Sequence, residues 1–195
     1  MRVGIIVDEN PISRCYINIL KSNDVKLKDI ILLKKKSFLP NFISLRMHFK
    51  KNNYWPILFL KQKNFLPLIH QIENYFHFPK NFCREMYKFE NIYDICNEII
   101  VTNSQDINSE NSINIIKKSE HDFFFNTGKQ ILKSIMELNK KFIHIHPGYL
   151  PEIKGADGSL WHINKHNNIG ISSFFMSKKI DEGLVIAKEK FEMPK

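Results

Sequence analysis

The run Val3-Gly4-Ile5-Ile6-Val7, the turn Asp8-Glu9-Asn10-Pro11, and then Ile12, Cys15, Tyr16, Ile19 and Leu20 decide the fold class. Five consecutive apolar or small residues are what a buried parallel strand needs, because helices cover both of its faces. Asn10 is a good helix cap, and Pro11 sits at the first helical position, where its missing N–H costs nothing. The next five apolar positions recur at helical spacing and predict one stripe against a sheet. Ile30 to Leu33 reads as a second strand. This is a β-α-β opening, hence an α/β protein with a parallel sheet. The turn after the first strand has no glycine, so it is not the dinucleotide-binding Gly-x-Gly-x-x-Gly loop. Asp8 and Glu9 there would repel a phosphate.

The second half of the chain repeats the alternation. Glu98 to Thr102 predicts a strand, and Ile107 to Lys118 a helix with Ile113, Ile116 and Ile115 inward. Asp122 to Phe125 predicts a buried strand that runs into Asn126-Thr127-Gly128. Ile131 to Leu138 reads as helix, Phe142 to His146 as strand, and Ser159 to Asn164 as helix. Two β-like runs, Ile171 to Met176 and Leu184 to Phe191, complete the pattern. Between the halves, residues 35–90 show no sustained period, and Pro40, Pro56, Pro67 and Pro79 interrupt them. They read as an insertion, with a helix over Leu66 to Phe78, inside one domain of residues 1–195.

Composition narrows the function classes. With 195 residues, 43% hydrophobic and 25% charged, the chain can bury a full core and is not disordered. Its longest apolar stretches fall well short of the roughly 20 residues that a membrane helix needs, and the run Ile57 to Leu60 stops at Lys61. Cys15, Cys83 and Cys96 are odd in number and far apart, which argues against a disulfide framework or structural zinc and suits the cytoplasm. The net charge of +9 comes from scattered lysines in a sequence rich in Ile, Asn and Lys, with Ala156 and Ala187 its only alanines. That is the mark of an AT-rich coding sequence rather than of a nucleic-acid-binding face. No nucleic acid and no membrane are expected as partners.

Open α/β sheets bind ligands outside the carboxyl ends of their strands. Two predicted strand ends carry chemistry. Phe142-Ile143-His144-Ile145-His146 stops at Pro147-Gly148, and a period of two places His144 and His146 on one face. Ile180-Asp181-Glu182-Gly183 is an acidic turn between two apolar runs. Taken alone, a strand histidine is more often a satisfied structural residue, and Asp-Glu-Gly more often a plain turn. Together they could serve acid–base chemistry or supply three zinc ligands, His144, His146 and Asp181.

The run His144-Ile145-His146-Pro147-Gly148-Tyr149-Leu150-Pro151, then Lys154-Gly155, Gly170-Ile171 and Ile180-Asp181-Glu182-Gly183, resembles the formyltransferase domain that uses 10-formyltetrahydrofolate. Members share an Asn-x-His-Pro-(Ser/Gly)-x-Leu-Pro segment and, about thirty residues on, an (Ile/Leu)-Asp-x-Gly turn. The match covers roughly Phe123 to Phe191. The family's asparagine is replaced here by His144, and the His-x-His-Pro-Gly signature, with Gly155-Ala156-Asp157-Gly158 and Trp161, is similar to a subgroup of bacterial formyltransferase-like proteins.

The resemblance implies a three-layer, Rossmann-like formyltransferase fold with a mostly parallel central sheet. It implies His144, His146 and Asp181 as the catalytic set, and 10-formyltetrahydrofolate as co-substrate against Gly128, Ile131, Leu132, Glu182 and Gly183. Asp157 and Trp161 fall on the acceptor side; their structural alternative is a loop–helix junction with Asp157 or Ser159 as cap. The acceptor is a small primary amine. An amino sugar, nucleotide-linked, leads, because a tRNA acceptor is expected to go with a C-terminal domain and a deformylase with an N-terminal regulatory one. A purine-type ribonucleotide is disfavoured by the lack of a Gly-x-x-Ser loop after the first strand. The alternatives are a catalytically inactive folate-binding homologue and a metal-dependent hydrolase using His144, His146 and Asp181. A homodimer is compatible with all three.

Overall fold

The computed structural model describes residues 2–8, 11–34, 74 and 92–192. The Asn10 cap, Glu9, Cys83, the insertion and the helix expected over residues 66–78 lie outside the described residues, apart from Asn74.

Among the described residues, seven strands form one sheet: β1 (Val3–Asp8), β2 (Leu27–Leu33), β3 (Cys96–Val101), β4 (Phe123–Asn126), β5 (Lys141–His146), β6 (Asn168–Phe175) and β7 (Val185–Glu192). Their spatial order is β3-β2-β1-β4-β5-β6-β7. The pairs from β3 to β5 are parallel, and β6 and β7 are added antiparallel. Three α-helices, α1 (Pro11–Ser22), α2 (Glu110–Lys118) and α3 (Gly158–His166), accompany them. The expected mostly parallel, layered α/β architecture is what the chain adopts.

The chain reverses direction across the sheet between β1 and β4, because β2 follows β1 on one side while β4 lies on the other. Such a switch point leaves a crevice at the carboxyl ends of its two strands. Two apolar clusters fill the two faces. Ile5, Val7, Ile17, Ile30 and Leu32 pack on one. Ile6, Ile31, Leu33, Ile116, Phe124 and Phe142 pack on the other, with Phe124 stacked on Phe142 at 5.8 Å.

Two sequence expectations need correction. Helix α1 does not turn Ile12, Cys15, Tyr16, Ile19 and Leu20 inward as one stripe. Ser13 and Ile17 are buried, with Tyr16 and Leu20 packed beside them, while Ile12 and Ile19 are 42% and 49% exposed. The helix is rotated because the Ser13 hydroxyl donates to Asp8 Oδ1 at 2.9 Å and lies 2.6 Å from Thr127 Oγ1, locking it over the strand ends. The second concerns Ile131 to Leu138, where only Ser134–Glu137 is helical, as a 3₁₀ turn. Asn108 explains the shortening: its side-chain amide donates to the Ile131 carbonyl and accepts from the Lys133 N–H, so those backbone groups are diverted from a helix ladder. By contrast, α2 begins where its chemistry demands, at Ser109, whose hydroxyl accepts the Ser112 N–H.

Candidate active site

Face parity assembles the site. Ile6, Phe124 and Phe142 lie in one apolar cluster, so Asp8, Asn126, His144 and His146, two or four residues further along the same strands, extend from that same face. His144 stands opposite Phe174 of β6, and His146 opposite Ser172. The two histidines therefore share a face at the carboxyl end of β5, two strands from Asp8.

His146 is 3% exposed. Its Nε2 lies 2.9 Å from the Ile153 carbonyl oxygen. A carbonyl only accepts, so the proton sits on Nε2 and Nδ1 is left to exchange one. Nδ1 faces Asp181 Oδ2 at 3.6 Å, too long for a direct hydrogen bond. Asp181, itself in the left-handed region with φ 54°, accepts the Gly155 N–H on Oδ2 at 2.7 Å, which aims the carboxylate toward the imidazole. Lys154 and Lys179 flank the next residue, Glu182, at 3.0 and 3.5 Å. Hydrogen bonding to Lys154 and the charge of both lysines hold the Glu182 carboxyl below its ordinary range. The 147–157 loop and the 180–183 turn are thus clipped together over His146.

The motif glycines follow from this packing. A Cβ at Gly148 would lie 2.7 Å from His146 Nε2 and 2.8 Å from the Ile153 oxygen, so the Pro-Gly break lets the loop close on the ring. At Gly183 a Cβ would fall 1.5 Å from the Phe175 carbonyl oxygen, so the acidic turn reaches its position only with glycine there. Ser172 closes the far side: its hydroxyl donates to the Gly148 carbonyl at 2.8 Å and accepts the Leu150 N–H at 2.9 Å.

His144 is half-buried, edge-on to Phe174. Its Nδ1 lies 2.9 Å from the Asn126 carbonyl oxygen, which again only accepts, so Nδ1 carries the proton and Nε2 keeps a lone pair. Of the four imidazole nitrogens, two donate to backbone carbonyls, His144 Nδ1 and His146 Nε2, and a third, His146 Nδ1, faces Asp181. His144 Nε2 has no hydrogen-bond partner among the described residues. Among the described residues, no group of three or more His, Cys, Asp or Glu side chains is placed to hold a metal ion.

The chain has the formyltransferase fold. It is similar to the phosphoribosylglycinamide formyltransferase of Campylobacter jejuni subsp. jejuni NCTC 11168, with a TM-score of 0.55 and 16% identity over 98% of this chain and 82% of that one. The corresponding enzyme of Anaplasma phagocytophilum matches with a TM-score of 0.54 and 15% identity over 98% and 72%. A sugar N-formyltransferase from Shewanella sp FDAARGOS_354 matches with a TM-score of 0.52 and 16% identity over 99% of this chain, which spans 58% of that protein's length. No family model and no curated protein matches the sequence. No helix among the described residues is long and apolar enough to cross a membrane.

The remaining sequence candidates spread more widely. Gly128 is buried beside Asp8 and Asn126; Ile131 is 55% exposed, while Leu132 sits in the core with Ile135 and Phe142. Any contact to a ligand by Leu132 is therefore through its backbone. Asp157 precedes α3 in the left-handed region and its side chain makes no capping bond; the Ser159 hydroxyl turns to the Pro147 carbonyl at 3.3 Å. Neither side chain caps the helix, and Trp161 on its first turn is 60% exposed. Three contributors escaped the sequence reading: the carbonyls of Asn126 and Ile153 and the N–H of Gly155. Every residue carries such groups, so no residue type could announce them.

Proposed function

We propose that this protein transfers a formyl group from 10-formyltetrahydrofolate to the primary amine of an amino sugar, the sugar being nucleotide-linked. One observation carries this reading: His144, at the place of the family's asparagine, keeps one uncommitted imidazole nitrogen beside a buried His146–Asp181 pair at the strand ends of a formyltransferase fold. The sugar N-formyltransferase among the similar structures supports the acceptor class.

The chemistry follows from those positions. The amine nitrogen attacks the formyl carbon and negative charge grows on the formyl oxygen; a donor already in place there is worth about 3–4 kcal/mol. His144 Nε2 fills either role that step needs. As a lone pair it takes the proton that the attacking amine must lose, and once protonated it donates to the oxyanion. The proton that His144 takes from the amine is the one the folate nitrogen gains as the C–N bond to the carrier breaks, and the lone pair of His146 Nδ1, facing Asp181, can relay it. The backbone of residues 128–132, after β4, and the 181–183 turn, whose Asp181 faces His146, would hold the pterin. A metal-dependent hydrolysis at His144, His146 and Asp181 is less well supported, since two of the four ring nitrogens already donate to carbonyls.

The test is turnover of 10-formyltetrahydrofolate, followed as release of tetrahydrofolate, with and without a panel of nucleotide-linked amino sugars. Amine-dependent release is the expected result. Release with no amine dependence would mean hydrolysis, and tight folate binding without release would mean an inactive homologue. Either would replace this reading.

A further inference from the structure

Nothing in an isolated imidazole decides which nitrogen keeps the proton; the partner of one nitrogen decides it for the other. For His144 that partner is the carbonyl of Asn126, 2.9 Å from Nδ1. Asn126 is the last residue of β4, and the β4–β5 pairing reaches Phe125 and Ile143 just before it. Its carbonyl therefore stands where the strand gives way to the turn 126–128. That turn is held from two directions. The Thr127 N–H and hydroxyl both donate to the Ile6 carbonyl on β1, at 3.1 and 3.0 Å. Asn126 Oδ1 accepts the Gly128 N–H at 3.2 Å, a side chain closing on the backbone two residues ahead. Its Nδ2 is left toward the Met176 thioether, at 3.8 Å. The fit at residue 128 is close, since a Cβ there would lie 3.3 Å from Asn126 Oδ1. Asn126 is 1% exposed, so its side chain serves the turn and not solvent.

We infer that Asn126 is a positioning residue of the formyl-transfer site: its side chain holds the turn that presents its own carbonyl to His144, which keeps the proton on Nδ1 and the lone pair on Nε2. This rests on the formyl-transfer reading for what that lone pair does. Without an acceptor on the side chain at 126, the buried Gly128 N–H loses its partner, and the turn must shift to satisfy it. One peptide unit carries both the Thr127 N–H that reaches Ile6 and the carbonyl that reaches His144. A shift of the turn therefore tilts that carbonyl off the ring. The imidazole can then carry its proton on Nε2, which makes that nitrogen a donor with no lone pair to take a proton from the amine. Asparagine suits the task because its acceptor sits on a short side chain that reaches the N–H two residues on.

The experiment reads the imidazole directly, by nitrogen NMR of histidine-labelled protein at about pH 8, where an ordinary imidazole is neutral. The parent, Asn126→Ala and Asn126→Ser are compared, with the His144 signals assigned by their absence from His144→Asn. The parent should carry the His144 proton on Nδ1. Asn126→Ala removes the acceptor, so it should place the proton on Nε2 in a substantial share of molecules and lower kcat at least about tenfold. A serine hydroxyl can accept the same N–H, so Asn126→Ser should keep the Nδ1–H form and stay within about threefold of the parent kcat. Serine and alanine vacate nearly the same space beside Met176, so a loss due to packing alone would fall on both alike; equal losses overturn the proposal. So does a parent with the proton on Nε2, or an Asn126→Ala protein that keeps it on Nδ1. If Asn126→Ala does not fold, Asn126→Val fills the space without an acceptor and is read in the same way. The imidazole signal needs no substrate. A proton that leaves Nδ1 in Asn126→Ala, in a protein without formyl transfer, keeps the positioning role and removes the proposed reaction; turnover with the proton unmoved does the reverse.

Discussion

At the scale of single residues, burial rather than hydrogen-bond direction distinguishes the two histidines. Both donate to backbone carbonyls, but His146 is sealed in and His144 is not. His144→Asn should therefore retain substantial turnover, since the amide can donate to the formyl oxygen, and its pH–rate profile should lose one ionisation because an amide does not titrate. His144→Ala should lose about 10²–10³ in kcat, as removal of one oxyanion donor does. Equal loss in both variants would show that proton transfer, not donation, is what position 144 supplies. Asp181→Asn preserves an acceptor for the Gly155 N–H, so it should fold normally, bind a 5-formyltetrahydrofolate analogue with little change in Kd, and fall steeply in kcat. His146→Asn serves the same purpose better than alanine, which would empty the space between Gly148 and Gly158. Near wild-type kcat in both variants would remove the pair from the mechanism. Gly183→Ala needs no catalytic argument: the added carbon meets a backbone oxygen that cannot step aside, so Tm should drop by several degrees and activity with it.

Helix α1 is the element whose orientation matters most, because it is pinned over the carboxyl ends of β1 and β4. Its observed rotation makes neighbouring isoleucines unequal. Ile17, 6% exposed within the cluster of Ile5, Ile30 and Leu32, should cost about 2–5 kcal/mol when changed to alanine. Ile12 and Ile19, both largely exposed, should each change stability by less than about 0.5 kcal/mol. Urea unfolding of the three variants checks this. A costly Ile12→Ala with a mild Ile17→Ala would restore the stripe expected from periodicity and reverse the assigned face. Burial likewise pushes the Tyr16 hydroxyl up to about 12 and the Cys96 thiol up to about 11, so both stay protonated near neutral pH, with the Cys96 thiol donating to the Ile92 carbonyl.

Over the whole molecule, ion pairs join parallel strands at their amino ends. Lys28 meets Glu120 at 2.6 Å and Arg2 meets Asp122 at 3.3 Å, and hydrogen bonding to those partners holds both carboxyls below their ordinary values of 4.5 and 3.8. A lowered folded-state value means the stabilisation is complete above the unfolded value and is lost as pH falls through the folded one. Tm should therefore decline as pH drops below about 4.5, toward and past the lowered values. Protonation also raises a net charge that is already +9. Because these pairs are exposed, salt should weaken their share. The double variant Glu120→Gln, Asp122→Asn should show a shallower acid slope at low ionic strength and the same slope at high. Indistinguishable slopes at low salt would mean that the pairs add nothing.

The sequence alone determined the α/β class, the strands and the two chemical segments, because each is written in short-range chemistry. A buried parallel strand needs a run such as Val3 to Val7. A strand that must break beside an imidazole needs Pro147-Gly148, and a turn pressed against a carbonyl needs Gly183. What only the tertiary structure decided is long-range. Periodicity placed Ile12 and Ile19 inward, yet hydroxyl contacts between Ser13, Asp8 and Thr127, 114 residues apart in sequence for the last pair with Ser13, turned the helix otherwise. The strand order β1-β4-β5 brings Asp8 onto the face of His144, and no local pattern encodes that order. Nor could residue types name the carbonyls of Asn126 and Ile153, which decide where each histidine keeps its proton. Backbone groups are the same in every residue, and only packing selects which of them an imidazole meets.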